Sequence, residues 1–169
     1  MAPGRCKAIA GGTRHRGSIS SSPRRMIAGV LKPREGDACV LGRFDEIEIG
    51  QVTSLGEVRV DARALEAFIE AFAPGWPAER GAPDSMVFAI WSRLDGVSAI
   101  AWPQTKRLGV DALRWVRNPP AGEVLRARMT IMGKDPVGEG KGIVIAQHDL
   151  LDEAGRLVFS CLTRSVFTR

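Results

Sequence analysis

The middle of the chain carries apolar residues at helical spacing, and its second half alternates them with a period of two. Leu65, Phe68, Ile69 and Phe72 fall at i, i+3, i+4 and i+7, which predicts one amphipathic helix. Arg63, Glu66 and Glu70 lie off that stripe and read as a solvated face. Asp61 stands where its carboxylate would accept the free N–H groups of the first turn. Pro74 and Gly75 end the helix. Pro83, Asp84 and Ser85 then signal a second start. Met86 to Leu94 is apolar nearly all round, apart from Ser92 and Arg93, which predicts a buried helix. Upstream, Ile47-Glu48-Ile49 alternates and turns at Gly50, and Val52 to Val60 reads as a first strand.

From residue 98 the segments 98–104, 108–117, 124–133, 143–151 and 156–167 read as strands. Pro119-Pro120-Ala121-Gly122, Asp135-Pro136-Val137-Gly138 and Asp152-Glu153-Ala154-Gly155 separate the last four. Leu125, Ala127, Met129 and Ile131 share one face against Arg126, Arg128 and Thr130. Leu157, Phe159 and Cys161 share another. Such alternation predicts an antiparallel sheet covered on one side, and the short turns favour sequential hairpins in a four-strand meander. The expected fold class is α+β, a long curved sheet wrapped around a buried helix.

Composition narrows the possibilities. A chain of 169 residues is enough for one domain with a proper core. The net charge of +5 is unevenly placed: residues 1–34 hold eight of the 24 basic residues and no acid, so the remaining 16 face 19 acidic ones, a net of −3. Basic character therefore belongs to a tail (residues 1–36, read as disordered), and residues 37–169 form the domain. That domain lacks the basic face expected of a nucleic-acid reader. The tail fits polyanion binding, an organelle transit peptide, or an extended gene start with Met26 as initiator. No apolar run approaches a bilayer span, the longest being Met86 to Trp91, and no secretory signal pattern is present. Cys6, Cys39 and Cys161 are scattered, with no Cys/His cluster, so reduced thiols in a cytoplasmic protein are expected and no metal site. Cys161 reads as a small core residue.

The order of these elements resembles the hot-dog fold and, within it, the MaoC-like acyl dehydratase/hydratase family. Phe44-Asp45-Glu46-Ile47-Glu48-Ile49-Gly50 is similar to that family's N-terminal segment. Asp61 to Phe72 is similar to its first helix, and Gly81-Ala82-Pro83-Asp84-Ser85-Met86 to its approach to the buried helix, where a His-Gly pair is common in place of Asp84-Ser85. Leu113-Arg114-Trp115-Val116-Arg117 with Pro119 to Leu125 is similar to its strand, Pro-Gly turn and next strand. The likeness covers roughly Gly42 to Arg169.

The resemblance implies an acyl-CoA or acyl-carrier thioester as substrate or ligand, no other cofactor, and a homodimer or a heterodimer with a related hot-dog chain. It also implies an aspartate and, five positions later, a histidine just after the first helix, which activate water for addition to an enoyl thioester. Here the break Ala73-Pro74-Gly75-Trp76-Pro77-Ala78 has no ionisable side chain. Aligning Pro77 with the family's proline puts Pro74 and Glu79 at the two positions, and a shift of one residue gives Ala73 and Ala78. The pair is not intact. The histidines are His15, in the tail, and His148, which reads as a structural or exposed strand residue. Glu79 and Asp84 flank the break and are the candidate catalytic carboxylates, as some hot-dog thioesterases use a single acid. Glu79 also reads as a solvated charge beside Arg80. Ser85, Met86 and Trp76 are the expected substrate-contacting residues, because backbone N–H groups at a helix start suit a polarised thioester carbonyl. Asp84 competes with that reading, since a capping carboxylate would occupy the same donors. Three functions stay open: a hydratase-like protein with altered or lost chemistry, an acyl-thioester hydrolase, and a non-catalytic subunit of a hot-dog heterodimer.

Overall fold

The computed structural model describes residues 41–169. The expectations for the basic tail, Met26, His15, Cys6, Cys39 and the boundary at residue 36 lie outside the described residues. Five strands form one antiparallel sheet: β1 (Val52–Arg59), β2 (Gln104–Trp115), β3 (Val124–Val137), β4 (Lys141–Leu151) and β5 (Leu157–Thr168), in the order β1-β3-β4-β5-β2. Two helices, α1 (Ala62–Phe72) and α2 (Asp84–Ala99), separate β1 from β2. This is an α+β hot-dog fold, as the element order predicts.

Each helix follows from local sequence, with corrections. Asp61 caps α1 as expected, its Oδ1 accepting the Ala64 N–H at 2.8 Å. The apolar stripe of α1 is buried at Leu65, packs partly buried against the core at Phe68 and Ile69, and is exposed at Phe72, where the helix ends beyond the core. Helix α2 runs five residues past Leu94, and the strand expected over 98–104 is instead the helix end and a turn, with β2 starting only at Gln104. Ser98 Oγ bonds back to Leu94 O at 3.0 Å, and Gly96 costs too little to stop a packed helix. Nor is α2 buried all round. Met86, Val87, Trp91 and Asp95 face the sheet, while Ala89, Gly96, Val97 and Ile100 are exposed. A single curved sheet covers one side of a helix only.

The strand pairing departs from a simple meander. β3, β4 and β5 are sequential hairpins, but β2 pairs with β5 at the far edge and β3 pairs with β1. The Pro119–Gly122 segment is therefore a crossing over one end of the sheet. It runs past the start of α2, where the Ala82 N–H bonds Pro119 O at 2.8 Å. Strand β3 also continues through Asp135-Pro136-Val137, which the sequence suggests as a break. β1 pairs only as far as Thr130, so the proline lies on a free edge where a missing N–H removes no ladder bond. Across the concave face Met129, His148 and Cys161 stand in one register row. The core gathers there: Trp91 from α2 meets Phe159 from β5 with ring centroids 5.9 Å apart.

Candidate functional site

Two regions along α2 hold the candidate chemistry. The first is its N-terminus. The break after α1 closes in a short 3-10 turn, Ala78–Arg80. Trp76 folds back over it, donating Nε1–H to Gly81 O at 2.9 Å with Arg80 stacked 4.7 Å from its ring. Gly81 has φ of 87°, and a Cβ there would stand 2.7 Å from the carbonyl oxygens of Asn118 and Pro119. Only glycine allows this close approach.

Helix α2 starts after Pro83, which caps it without a side-chain bond. This corrects the expected Asp84 cap. Asp84 is the first helical residue, and its Oδ1 accepts from Asn118 Nδ2 at 3.0 Å. Asn118 Nδ2 also donates to Ala82 O at 2.8 Å, and Trp115 Nε1 donates to Asp84 O at 2.9 Å. Both partners come from the end of β2 and the crossing that follows it. Arg117 holds that crossing through Glu123 and, at 2.8 Å, Asp152. Burial opposes the charge on Asp152, but hydrogen bonds from Arg156 and Arg117 win and bring its carboxyl down to about 2. The Met86 and Val87 N–H groups both bond Pro83 O. The N–H groups of Asp84 and Ser85 therefore point outward from the helix start with no protein acceptor recorded among the described residues.

The second region lies eleven residues along α2, about 16 Å at 1.5 Å per residue. Asp95 is buried on the sheet face of the helix. Its Oδ2 meets Arg107 Nη1 of β2 at 2.6 Å, and its Oδ1 stands 3.6 Å from His148 Nδ1 of β4. His148 Nε2 lies 2.9 Å from Thr163 Oγ1 of β5. The Trp91 ring meets the imidazole edge-to-face at 5.3 Å. Burial is the largest influence on His148 and outweighs the opposing pull of Asp95, bringing its pKa down to about 4. The imidazole is therefore neutral near pH 7. Burial likewise pushes the neighbouring Cys161 thiol up to about 12, leaving it a core thiol, as expected. A small cavity adjoins the cluster, lined among others by Arg107, His148, Thr163 and Ser165. It has room for about one water molecule.

The structure thus separates the sequence candidates. Asp84 and Ser85 are exposed at the α2 start. Met86 buries its side chain in the core. Glu79 is exposed in the 3-10 turn and makes no ion pair among the described residues. Trp76 is tied into the break itself. His148 is neither exposed nor isolated; it belongs to a polar cluster that sequence reasoning did not assemble. Among the described residues no group of His, Cys, Asp and Glu has a metal-holding arrangement, and no helix is long and apolar enough to cross a membrane.

No family model matches the sequence, and no curated protein matches it. Solved structures do match. A MaoC-like dehydratase from Rhodospirillum rubrum is 24% identical, with a TM-score of 0.66 over 76% of this chain and 98% of that one. An (R)-hydratase from A. caviae, involved in PHA biosynthesis, is 15% identical, with a TM-score of 0.56 over 73% of this chain and 98% of that one. The HadBC (3R-hydroxyacyl-ACP dehydratase) complex from Mycobacterium tuberculosis supplies a chain that is 20% identical, with a TM-score of 0.50 over 70% of this chain and 96% of that one. The structural neighbours of this chain are MaoC-like dehydratases and hot-dog hydratases, and the likeness is one of fold.

Proposed function

We propose that this chain binds an acyl thioester, carried on coenzyme A or an acyl carrier, at the N-terminus of α2, in a hydratase-like hot-dog site that lacks the usual Asp/His pair. The observation that carries the reading is the unengaged Asp84 and Ser85 N–H pair in a fold shared with hydratases and dehydratases. Pro83 at the cap position brings no side-chain acceptor, and the Asp84 carboxylate accepts from Asn118 instead, so the donors that a cap would occupy stay free. Those donors and the positive end of the helix would polarise the thioester carbonyl. The adjoining break offers Trp76, Pro77 and Ala78 but no general base for hydrating a double bond.

The expected outcome is binding without hydration. Titration calorimetry with acetyl-CoA and a short trans-2-enoyl-CoA would show saturable heat, while the enoyl absorbance stays unchanged. Replacing Ser85 by Pro removes one donor at a position where the helix tolerates proline. It would weaken binding by about 1 kcal/mol, roughly fivefold. No binding of either ester ends the proposal.

Hydrolysis of the ester without hydration would instead favour a thioesterase using Asp84, which Asn118 holds in place. Edge strand β2 exposes Leu108 and Trp115, which supports pairing with a second hot-dog chain, identical or related, along that edge. A monomer by sedimentation at micromolar concentration would count against that pairing.

A further inference from the structure

We propose that the cavity flanked by Arg107 and Ser165 is a binding site for a single water molecule, held between β2 and β5 as a fixed part of the fold. Arg107 and Ser165 are register partners across the β2–β5 ladder, so their side chains share one face of the sheet. Both line the cavity, and so does Thr163, two residues from Ser165 on the same face. Ser165 and Thr163 are each 3% exposed. The Ser165 hydroxyl and the Arg107 Nε are buried polar atoms with no protein partner among the described residues. A buried polar group keeps the full cost of losing its hydration unless something pairs with it. Two such groups on one small cavity therefore point to an occupant that pairs with both.

Size and chemistry select water. The space has room for about one water molecule, and a buried water needs roughly two to four polar partners. Three converge here. Arg107 Nε can only donate, while the Ser165 and Thr163 hydroxyl oxygens can each accept. Thr163 Oγ1 already meets His148 Nε2 at 2.9 Å. With two lone pairs it keeps an acceptor position whichever group holds that proton. Water accepts from Arg107 and donates to the two hydroxyls. An anion is not called for, because Asp95 matches the guanidinium charge at 2.6 Å, and a cation would meet that guanidinium. Val144, Ala146 and Phe167 close the apolar side. Gln104 and Arg107, half-buried at the edge strand, give the water its way in and out.

The position gives this water a structural task. The β2–β5 register shifts between Gln104 and Lys106 and again between Arg107 and Gly109. Arg107 and Ser165 thus pair in a short stretch between two irregularities, on an edge strand. A bridging water is nearly as good as a direct hydrogen bond, and it links the two strands where their ladder is interrupted. It also engages Nε of the guanidinium whose Nη1 meets Asp95, which fixes the cation against the buried carboxylate.

High-resolution crystallography of the full chain, with relaxation dispersion of the water oxygen in solution, tests this. The expected result is one ordered peak of water strength within about 3.2 Å of Arg107 Nε and of Ser165 Oγ or Thr163 Oγ1. Ser165→Val puts methyl groups in the space and removes one partner. It should abolish the peak and lower the dispersion amplitude by the share of one long-lived water. The native crystal decides the first result alone, so a Ser165→Val chain that fails to fold leaves the test intact. Arg107 Nε closing directly on a hydroxyl, density too strong for water, no peak, or an unchanged dispersion amplitude in folded Ser165→Val overturns the proposal. None of these results touches thioester binding at the α2 start, which calorimetry reads independently.

Discussion

The two ends of α2 solve opposite electrostatic problems. At its start the helix presents unpaired donors to solvent, and the nearest carboxylate, Asp84, is exposed and accepts from Asn118. Toward its C-terminal half, a carboxylate, an imidazole and a guanidinium are drawn into the core and packed under Trp91. The first arrangement can bind a dipole but has no base. The second has a base and a hydroxyl but almost no room. About 16 Å of helix separates them, while a thioester carbonyl and the double bond beside it span only a few ångströms. Within one chain the two ends therefore cannot act on the same bond. Cation or anion, the groups at each end must also cost different amounts to disturb, and that is how the contrast can be broken.

The largest effect is expected at Asp95. Its carboxylate is 1% exposed and compensates Arg107 inside the sheet. Asp95→Ala leaves a half-buried guanidinium without its partner and opens a small cavity, at a cost of about 3 kcal/mol. Urea unfolding at pH 7 measures it. A loss below about 1 kcal/mol would mean that Arg107 escapes to solvent and that the cluster holds nothing together.

The next effect belongs to His148. Its folded value of about 4 lies below the ordinary 6.5, because burial disfavours the charged form. Unfolding thus takes up a proton whenever the pH lies between the two values. The stabilisation is complete above pH 6.5, falls as the pH drops toward 4, and is gone below that. The span amounts to about 3 kcal/mol at most. His148→Gln should flatten this part of the stability profile, while native chains lose stability across it. Equal slopes in both chains would assign the acid sensitivity to other groups.

How much of this contrast the sequence carried depends on which periodicity was followed to its end. The fold was legible: the i, i+3, i+4, i+7 stripe of α1 and the alternation in β3 to β5 point to a sheet wrapped on a helix. The crossing from β2 to β3 was not, because Pro119-Pro120 reads equally well as a hairpin turn or a long connection. Only the pairing of β2 with β5 decides it. The cluster was within reach. Val87, Trp91 and Asp95 are spaced i, i+4, i+8, and Val144, Ala146, His148 and Leu150 alternate inward. Ending the helix at Leu94 hid the first pattern, and treating His148 alone hid the second. Thr163 and Arg107 carry no such signal, since their roles come from strand order. At the other end, Asp84 has the sequence of a cap, but Pro83 takes that position and the Asp84 carboxylate accepts from Asn118, a partner 34 residues away that no local rule could supply.

Gly81 tests how firmly the α2 start is seated. Its φ of 87° and the backbone oxygens 2.7 Å from any Cβ leave no room for alanine. Gly81→Ala should cost about 2 kcal/mol, from the left-handed backbone and from pushing the Asn118-Pro119 crossing away. It should also weaken thioester binding, since that crossing carries Asn118, whose amide bonds both Ala82 O and the Asp84 carboxylate at the helix start. Thermal unfolding and calorimetry on the same sample check both. Lost stability with unchanged binding would separate the seat from the site.

The smallest stability effect, and the sharpest on function, is expected from Asp84→Asn. The side chain is exposed and its one recorded side-chain bond, from Asn118, is at the surface, so unfolding should shift by no more than about 0.5 kcal/mol. The negative charge, however, sits in the first turn of α2, where it offsets the positive end of the helix. Removing it should strengthen the pull on a thioester carbonyl and tighten binding about twofold, from a few tenths of a kcal/mol. A thioesterase that uses Asp84 as base or nucleophile would behave in the opposite way, keeping its binding and losing turnover. Calorimetry and a thiol-release assay on the one variant therefore divide the two readings. Tighter binding with no turnover in either chain assigns the α2 start to recognition, and abolished thiol release assigns it to catalysis.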